Sequence, residues 1–310
     1  MENSLSGSLE AFPRPFPPDL ERLIFEVTAL SRPVWIPTLM LVAWRVKNWV
    51  EPLLYRIVFI RPQIRTLGPY GFPPLTTELL LRTIANKGPQ FLSNAVQNIN
   101  FDTFVLEITD LAIILDACTG LRNLVLNIAP GPCLLAIGSL NHLCRLEIVA
   151  NAILLIEDDV RPVFPCLTHL ELMSSVDDET GVSDLELPKT YAALRRLPQL
   201  THLALGMLPT QLVVETIQQV DAQTPLRLES IVFLVERSLA NAPFPEDDPR
   251  FVCVIYDIAY RLDWLRGADT GDDYWKAADC FIAAKRAGAI DRTQCEVVLS
   301  AYDYVPPPES

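Results

Sequence analysis

Histidine and glycine are scarce in this sequence, at 3 and 12 of its 310 residues. The histidines, His142, His169 and His202, bring no HExxH and no third ligand at metal spacing, so no metal is expected. No GxGxxG, GxxxxGK(S/T) or GxSxG occurs, which removes the nucleotide-loop and nucleophile-elbow readings and leaves no expected cofactor. Positive charge is short as well: 25 Lys and Arg face 38 Asp and Glu, for a net charge of −13. A chain this acidic, without a basic patch, repels phosphate backbones, so nucleic acid is not an expected partner. Long apolar runs are missing too. Pro33 to Trp44 is the most lipid-like stretch, only twelve residues between Arg32 and Arg45, whereas a span needs roughly 20. The start, Met1-Glu2-Asn3-Ser4, offers neither the basic nor the apolar region of a signal peptide. Seven cysteines without a CxxC pair read as free thiols in a reducing interior, cytoplasm or nucleus. What the chain has is 50% hydrophobic residues and a mean hydropathy of +0.24. That is enough for a sizeable core, in two domains or in one repeat body carrying a small module.

Residues 1–15 are a polar, proline-punctuated lead. Pro17 and Pro18 suit the first turn of a helix, where an N–H is not needed, and Asp19 and Glu21 favour its positive end. Leu20, Leu23, Ile24 and Val27 then fall at i, i+3, i+4 and i+7 on one stripe. After Pro33 and Pro37 a second helical run follows, with Leu39, Val42, Ala43, Val46, Val50 and Leu53 on one side and Leu41, Trp44 and Trp49 widening it. About forty residues hold more large apolar groups than a helix pair covers, so this surface docks on something, either the chain's own next domain or a partner.

The run Phe16-Pro17-Pro18-Asp19-Leu20 with Leu23-Ile24-Phe25 resembles the opening of the F-box, with Phe16 at the usual leucine. Leu41-Val42-Ala43-Trp44-Arg45 is similar to its second half. Trp49-Val50-Glu51-Pro52-Leu53-Leu54-Tyr55-Arg56 resembles the ending found in F-box-like proteins of mushroom-forming fungi. The likeness spans residues 14–58. It implies that Phe16, Pro17, Leu20, Leu23, Ile24, Leu41, Val42 and Trp44 bind the small adaptor subunit of an SCF-type cullin–RING ubiquitin ligase.

Through the middle of the chain the template L-x-x-L-x-L recurs at Val96, Leu121, Leu143, Leu167, Leu200 and Leu228, in steps of 25, 22, 24, 33 and 28 residues. An earlier copy fits Leu54/Ile57/Phe59. Such spacings lie in or near the leucine-rich-repeat range of about 20–29. The last two apolar positions alternate along a strand into the core, and the first closes the preceding turn. Asn127 is the nearest counterpart of the asparagine that ends such repeats, one place early. Thr210 to Val220 reads as a returning helix, and Asp177-Asp178-Glu179 as a solvated loop. A conventional parallel α/β sheet with similar strands stays open as the other architecture.

On the repeat reading, the residues between core positions share one outer face: Asn98, Asn100 and Asp102, then Asn123, Arg145, Glu147, His169, Glu171 and His202, becoming apolar at Ala204, Val232 and Leu234. Asn123, Arg145, Glu147, His169, Glu171 and His202 are the candidate client-binding residues, although any exposed sheet face looks the same. Phe251 to Tyr256 reads as a buried strand that Asp257 to Leu265 continues or leaves. Asp272 and Asp273, Lys285 and Arg286, and Gly288 bracket a helix with a core-facing Trp275, Ala278 and Ile282. This run also resembles the closing segment of fungal F-box-like proteins and suits an end cap. Pro306-Pro307-Pro308 reads as an extended tail.

The expected fold is α/β: an F-box-like helical module over 14–58, an irregular leucine-rich-repeat-like solenoid over 59–240, and a strand–helix cap over 241–305. The expected function is a non-catalytic substrate receptor that joins the ligase adaptor to a client protein of unknown identity and contacts neither nucleic acid nor membrane. The alternatives are a leucine-rich-repeat interaction scaffold outside any ligase and an enzyme whose site no motif marks.

Overall fold

The structure, a computed structural model, describes residues 16–61, 75–101, 106–128, 130–155, 164–173, 187–223, 227–236, 243–245, 248–256 and 260–299. The lead over 1–15, Asp102, Asp177-Asp178-Glu179, Asp257 and the Pro306–Pro308 tail lie outside the described residues. The chain divides into two compact units, Met1–Leu54 and Tyr55–Ser310.

The first unit is helical: α1 (Pro18–Ser31), α2 (Ile36–Leu39) and α3 (Trp44–Leu54). Pro18 opens α1 with Asp19 and Glu21 in its first turn, where an imino nitrogen costs no bond and acids meet the dipole. Ala29, Ile36, Val46 and Val50 form the centre, with Phe25, Trp49 and Leu53 half-buried around it. Glu21 and Arg45 tie α1 to α3 through an ion pair at 2.5 Å. One expectation changes. The second helical run breaks at residues 40–42, where turn bonds from Leu41 to Thr38 and from Val42 to Leu39 replace helical ones, and Val42 rotates outward. On α1 the core side is Phe25 and Ala29, so the regular stripe Leu20, Leu23, Ile24 and Val27 is the outward face.

The second unit runs β1 (Ile57–Ile60), α4 (Thr77–Asn86), α5 (Pro89–Ala95), β2 (Asn98–Phe101), α6 (Ile108–Ala117), β3 (Asn123–Leu126), α7 (Leu134–Gly138), β4 (Arg145–Val149) and β5 (His169–Met173). It continues with α8 (Leu187–Leu194), β6 (His202–Gly206), α9 (Gln211–Gln223), β7 (Ser230–Val235), β8 (Phe251–Ile255), α10 (Tyr260–Thr270), α11 (Tyr274–Arg286) and β9 (Glu296–Val298). The described strands form one sheet in chain order, and every neighbouring pair is parallel.

The sequence template explains the register. Its second position aligns Ile99, Leu124, Leu146, Leu170, Leu203 and Ile231 across β2 to β7. The first-position residues Leu121, Leu143, Leu167 and Leu200 are buried, and each donates its N–H to a carbonyl three residues earlier, at 3.2–3.3 Å. A second unit repeats with them. The carbonyls of Arg56, Gln97, Arg122, Cys144, Thr168 and Thr201 each accept two successive N–H groups from the start of the next strand. The Asn127 side chain adds one more rung, donating to the Phe101 carbonyl at 3.3 Å. The earliest copy is displaced: Val58 and Ile60, not Ile57 and Phe59, align with Ile99 and Phe101. With period two, that one-residue shift sends Ile57 and Phe59 to the opposite face.

Both faces of the sheet are covered. The template leucines meet α4, α6, α7, α8 and α9 in the main core. On the other face Ala204, Val232, Leu234, Val252 and Val254 pack on Tyr274, Trp275, Ala278 and Ile282 of α11. Ile57, Phe59 and Val125 pack on Trp264 and Leu265 of α10. The expected end-cap helix therefore lies across the sheet as a roof, while β9 extends the edge. Burial within this architecture sorts the thiols, pushing Cys118 and Cys253 up to about 12. Alkylation of native protein at pH 8 is expected to label Cys166 and Cys280, which are exposed, and to spare Cys118 and Cys253. Peptide mass mapping reads this out. Among the described residues no helix is long and apolar enough to cross a membrane.

Candidate functional site

Two surfaces gather the residues marked in the sequence. The first belongs to the helical unit. Phe16, Leu20, Leu23 and Ile24 on and before α1 are 50–54% exposed, and Pro17 is exposed with them. Leu41, Val42 and Trp44, at the turn into α3, are 86%, 60% and 73% exposed. Single exposed leucines are ordinary, but this density of large apolar groups on one small unit makes it a candidate docking surface. The broken helix contributes to it: had residues 40–42 been helical, Val42 would have joined Val46 in the centre. Lys47 lies over the Trp44 ring at 5.0 Å, a cation on one side of an otherwise open indole.

The second is the polar row on the sheet. Strand pairing brings Asn123, Arg145 and His169 into line, then His202, with Glu147 directly beside Glu171 on the same face. The row is thus real, but it is not an open client surface. Asn123, Glu147, Glu171 and His202 are buried, and α10 and α11 occupy the space in front of them. The half-buried Arg145 reaches Asp273, the N-cap of α11, and Glu171 accepts hydrogen bonds at 2.7 Å from the hydroxyls of Tyr260 and Tyr274. Asp263 on α10 accepts from Arg266 at 2.8 Å and from the Tyr274 backbone N–H at 2.9 Å. His169 and His202 stack at 4.1 Å with 11° between their planes, and Trp275 meets His169 edge-on at 5.0 Å. The threonine before each histidine reaches its Nδ1, at 2.8 Å for Thr168 and 2.7 Å for Thr201, while His202 Nε2 faces Asp279 at 3.1 Å.

Burial controls the charges here. It pushes Glu147 well above the carboxylate range, helped by the neighbouring Glu171, and raises Glu171 to about 7 against the pull of its two tyrosine donors. It lifts Asp263 to about 6 and, with His202 and Arg145 nearby, lowers His169 to about 2. The stacked histidines therefore include one neutral ring, packed as an aromatic group. Among the described residues no group of three or more His, Cys, Asp or Glu is placed to hold a metal ion.

The cavity between sheet and roof, lined by Glu147, Glu171, Tyr260, Trp264 and Trp275 among others, has a volume of about 30 Å³. That is room for one or two waters, far below an ordinary ligand pocket. The sequence marked the sheet side of this cluster and missed Tyr260, Asp263 and Tyr274. One signal was available. The row turns apolar at Ala204, Val232 and Leu234, and a face carrying those residues needs a cover. Compared with known proteins, the chain matches no family model, no curated protein and no solved structure.

Proposed function

We propose that this chain is an F-box-like substrate-recognition subunit of an SCF-type ubiquitin ligase, with the helical unit binding the adaptor and an irregular leucine-rich-repeat-like sheet unit carrying the client. The supporting observation is the outward stripe of α1 together with the exposed Leu41, Val42 and Trp44. These are the side chains on which the F-box resemblance rests, and they are free of the unit's own core. The recurring turn bond, the paired N–H contacts and the Asn127 rung favour a repeat body. In this role the chain works by proximity: a client held beside a charged conjugating enzyme meets it at high effective concentration, and no residue here touches the reaction. The roofed polar row leaves client capture to other surfaces of the sheet unit.

Co-purification with the adaptor tests the reading. Wild type is expected to bind. The double variant Leu23→Glu/Ile24→Glu removes two central anchors while leaving the buried Ala29, Val46 and Val50 untouched. At about 2 kcal/mol or more per anchor, the variant's affinity should fall by roughly 1,000-fold with an unchanged melting profile. Equal binding by the variant, or none by wild type, overturns the proposal in favour of an interaction scaffold outside any ligase.

A further inference from the structure

Two carboxyl groups lie side by side under the roof, and among the described residues neither is ion-paired. Glu147 and Glu171 are register partners on β4 and β5, and each is 5% exposed. The roof supplies hydroxyl groups to them from both of its helices, Tyr260 on α10 and Tyr274 on α11. We propose that Glu147 and Glu171 form a proton-controlled latch: α10 and α11 stay down on the sheet while the pair keeps a proton, and lift from it when both carboxyls ionise.

Hydrogen-bond counting gives the closed state. Each tyrosine has one hydroxyl proton, and both point theirs at Glu171. With both of those protons directed at Glu171, burial beside that carboxyl favours the neutral form of Glu147. With Glu147 neutral, the pair carries one charge, on Glu171, and both tyrosine hydroxyls serve it. If Glu147 ionises as well, two negative charges face one another away from water.

The surrounding groups do not relieve that state. Arg145, on the same strand as Glu147, is held by Asp273 from the start of α11, and Arg266 on α10 is engaged by Asp263. His169 on β5 is kept neutral by burial, and His202 on β6 faces Asp279 of α11. Just past the ends of β8 and β7, Tyr256 and Glu236 add an un-ionised phenol and a further acid. The cavity beside the pair admits only one or two waters, and Trp264, which also lines it, has an indole N–H without an acceptor among the described residues.

The sign follows from linkage. The closed state holds a proton on the pair that the open, hydrated state releases near the ordinary 4.5, since burial raises Glu171 to about 7 and Glu147 well above the carboxylate range. Closed-state stability therefore falls as pH rises from about 4.5 through 7, and Glu147 carries the fall beyond that.

Hydrogen exchange of the full chain at pH 5.5 and 8.0, expressed as protection factors so that intrinsic base catalysis cancels, reads the latch directly. Amides of 260–286 are expected to lose protection at least tenfold at pH 8.0, while those of β2 to β4 hold theirs. Glu147→Gln and Glu171→Gln, which keep the side-chain shape and an acceptor oxygen, should each flatten that dependence. Three outcomes overturn the proposal: unchanged protection of 260–286 in wild type, a loss shared equally with β2 to β4, or both variants keeping the full wild-type pH response. The wild-type profile decides even if a variant folds poorly.

Discussion

Gly120→Ala is expected to lower the stability of the sheet unit by about 3 kcal/mol or more, at the upper end of the cost of overpacking. Gly120 sits in the turn between α6 and β3, where a Cβ would lie 1.8 Å from the Ser93 carbonyl oxygen and 3.0 Å from its carbon. Those atoms belong to the backbone of α5, so no side-chain rotation makes room. Either α5 moves, taking the fully buried Leu92 and the buried Ala95 with it, or the turn opens and the bond from Leu121 to Cys118 is lost. Both routes damage the main core. Denaturant unfolding measures the effect as a lower midpoint at constant slope. A midpoint shift worth less than about 0.5 kcal/mol would show that the turn is far softer than its geometry.

Trp275→Ala should be comparably costly but differently distributed. Trp275 is 6% exposed and packs in the secondary core with Ala204, Val232 and Ala278, its ring against His169, His202 and Tyr274. Deleting a buried aromatic of this size costs about 3–5 kcal/mol. Here the loss falls on the contact between α11 and the sheet, because the main core contains no atom of Trp275. Amide exchange across 260–286 is therefore expected to accelerate by orders of magnitude while β2 to β4 stay protected. Trp275→Phe, which keeps a ring, should show a much smaller change. A uniform loss of protection through the whole unit would instead mean that roof and sheet unfold as one.

Much of this architecture was legible because the template carries its own physics. A buried leucine, a turn and two alternating apolar residues are enough to fix β2 to β7 and their common register. The α11 boundaries were readable from end chemistry: Asp273 accepts the Lys276 N–H, Lys285 and Arg286 occupy the last turn, and Gly288 takes a φ of +72°. Other parts lacked a pattern. Glu296–Val298 is three residues long, half-buried to exposed, and becomes a strand only because β8 offers an edge. Tyr260 to Thr270 alternates polar and apolar groups weakly, so its helix was hidden next to the strand before it. On α1 the stripe was visible, but whether it faced inward depended on Phe25 and Trp49, whose rings meet at 6.5 Å and close the small centre from the other side. The polar row was placed on the right face with the wrong environment. Position along a strand assigns a side, whereas the cover comes from residues far downstream, 77 positions on for the His202–Asp279 contact and 128 for Arg145–Asp273.

The roof also dictates an order of synthesis. Strands that pair only with their predecessors can assemble while the chain is still leaving the ribosome, each adding to the last. The face of β1 cannot be finished that way. Phe59 waits for Trp264, and Arg56 for Asp269, 213 positions downstream. Until those residues emerge, Ile57 and Phe59 stay wet, so a nascent or prematurely terminated chain presents the greasy start of its sheet to whatever chaperone or protease is nearby.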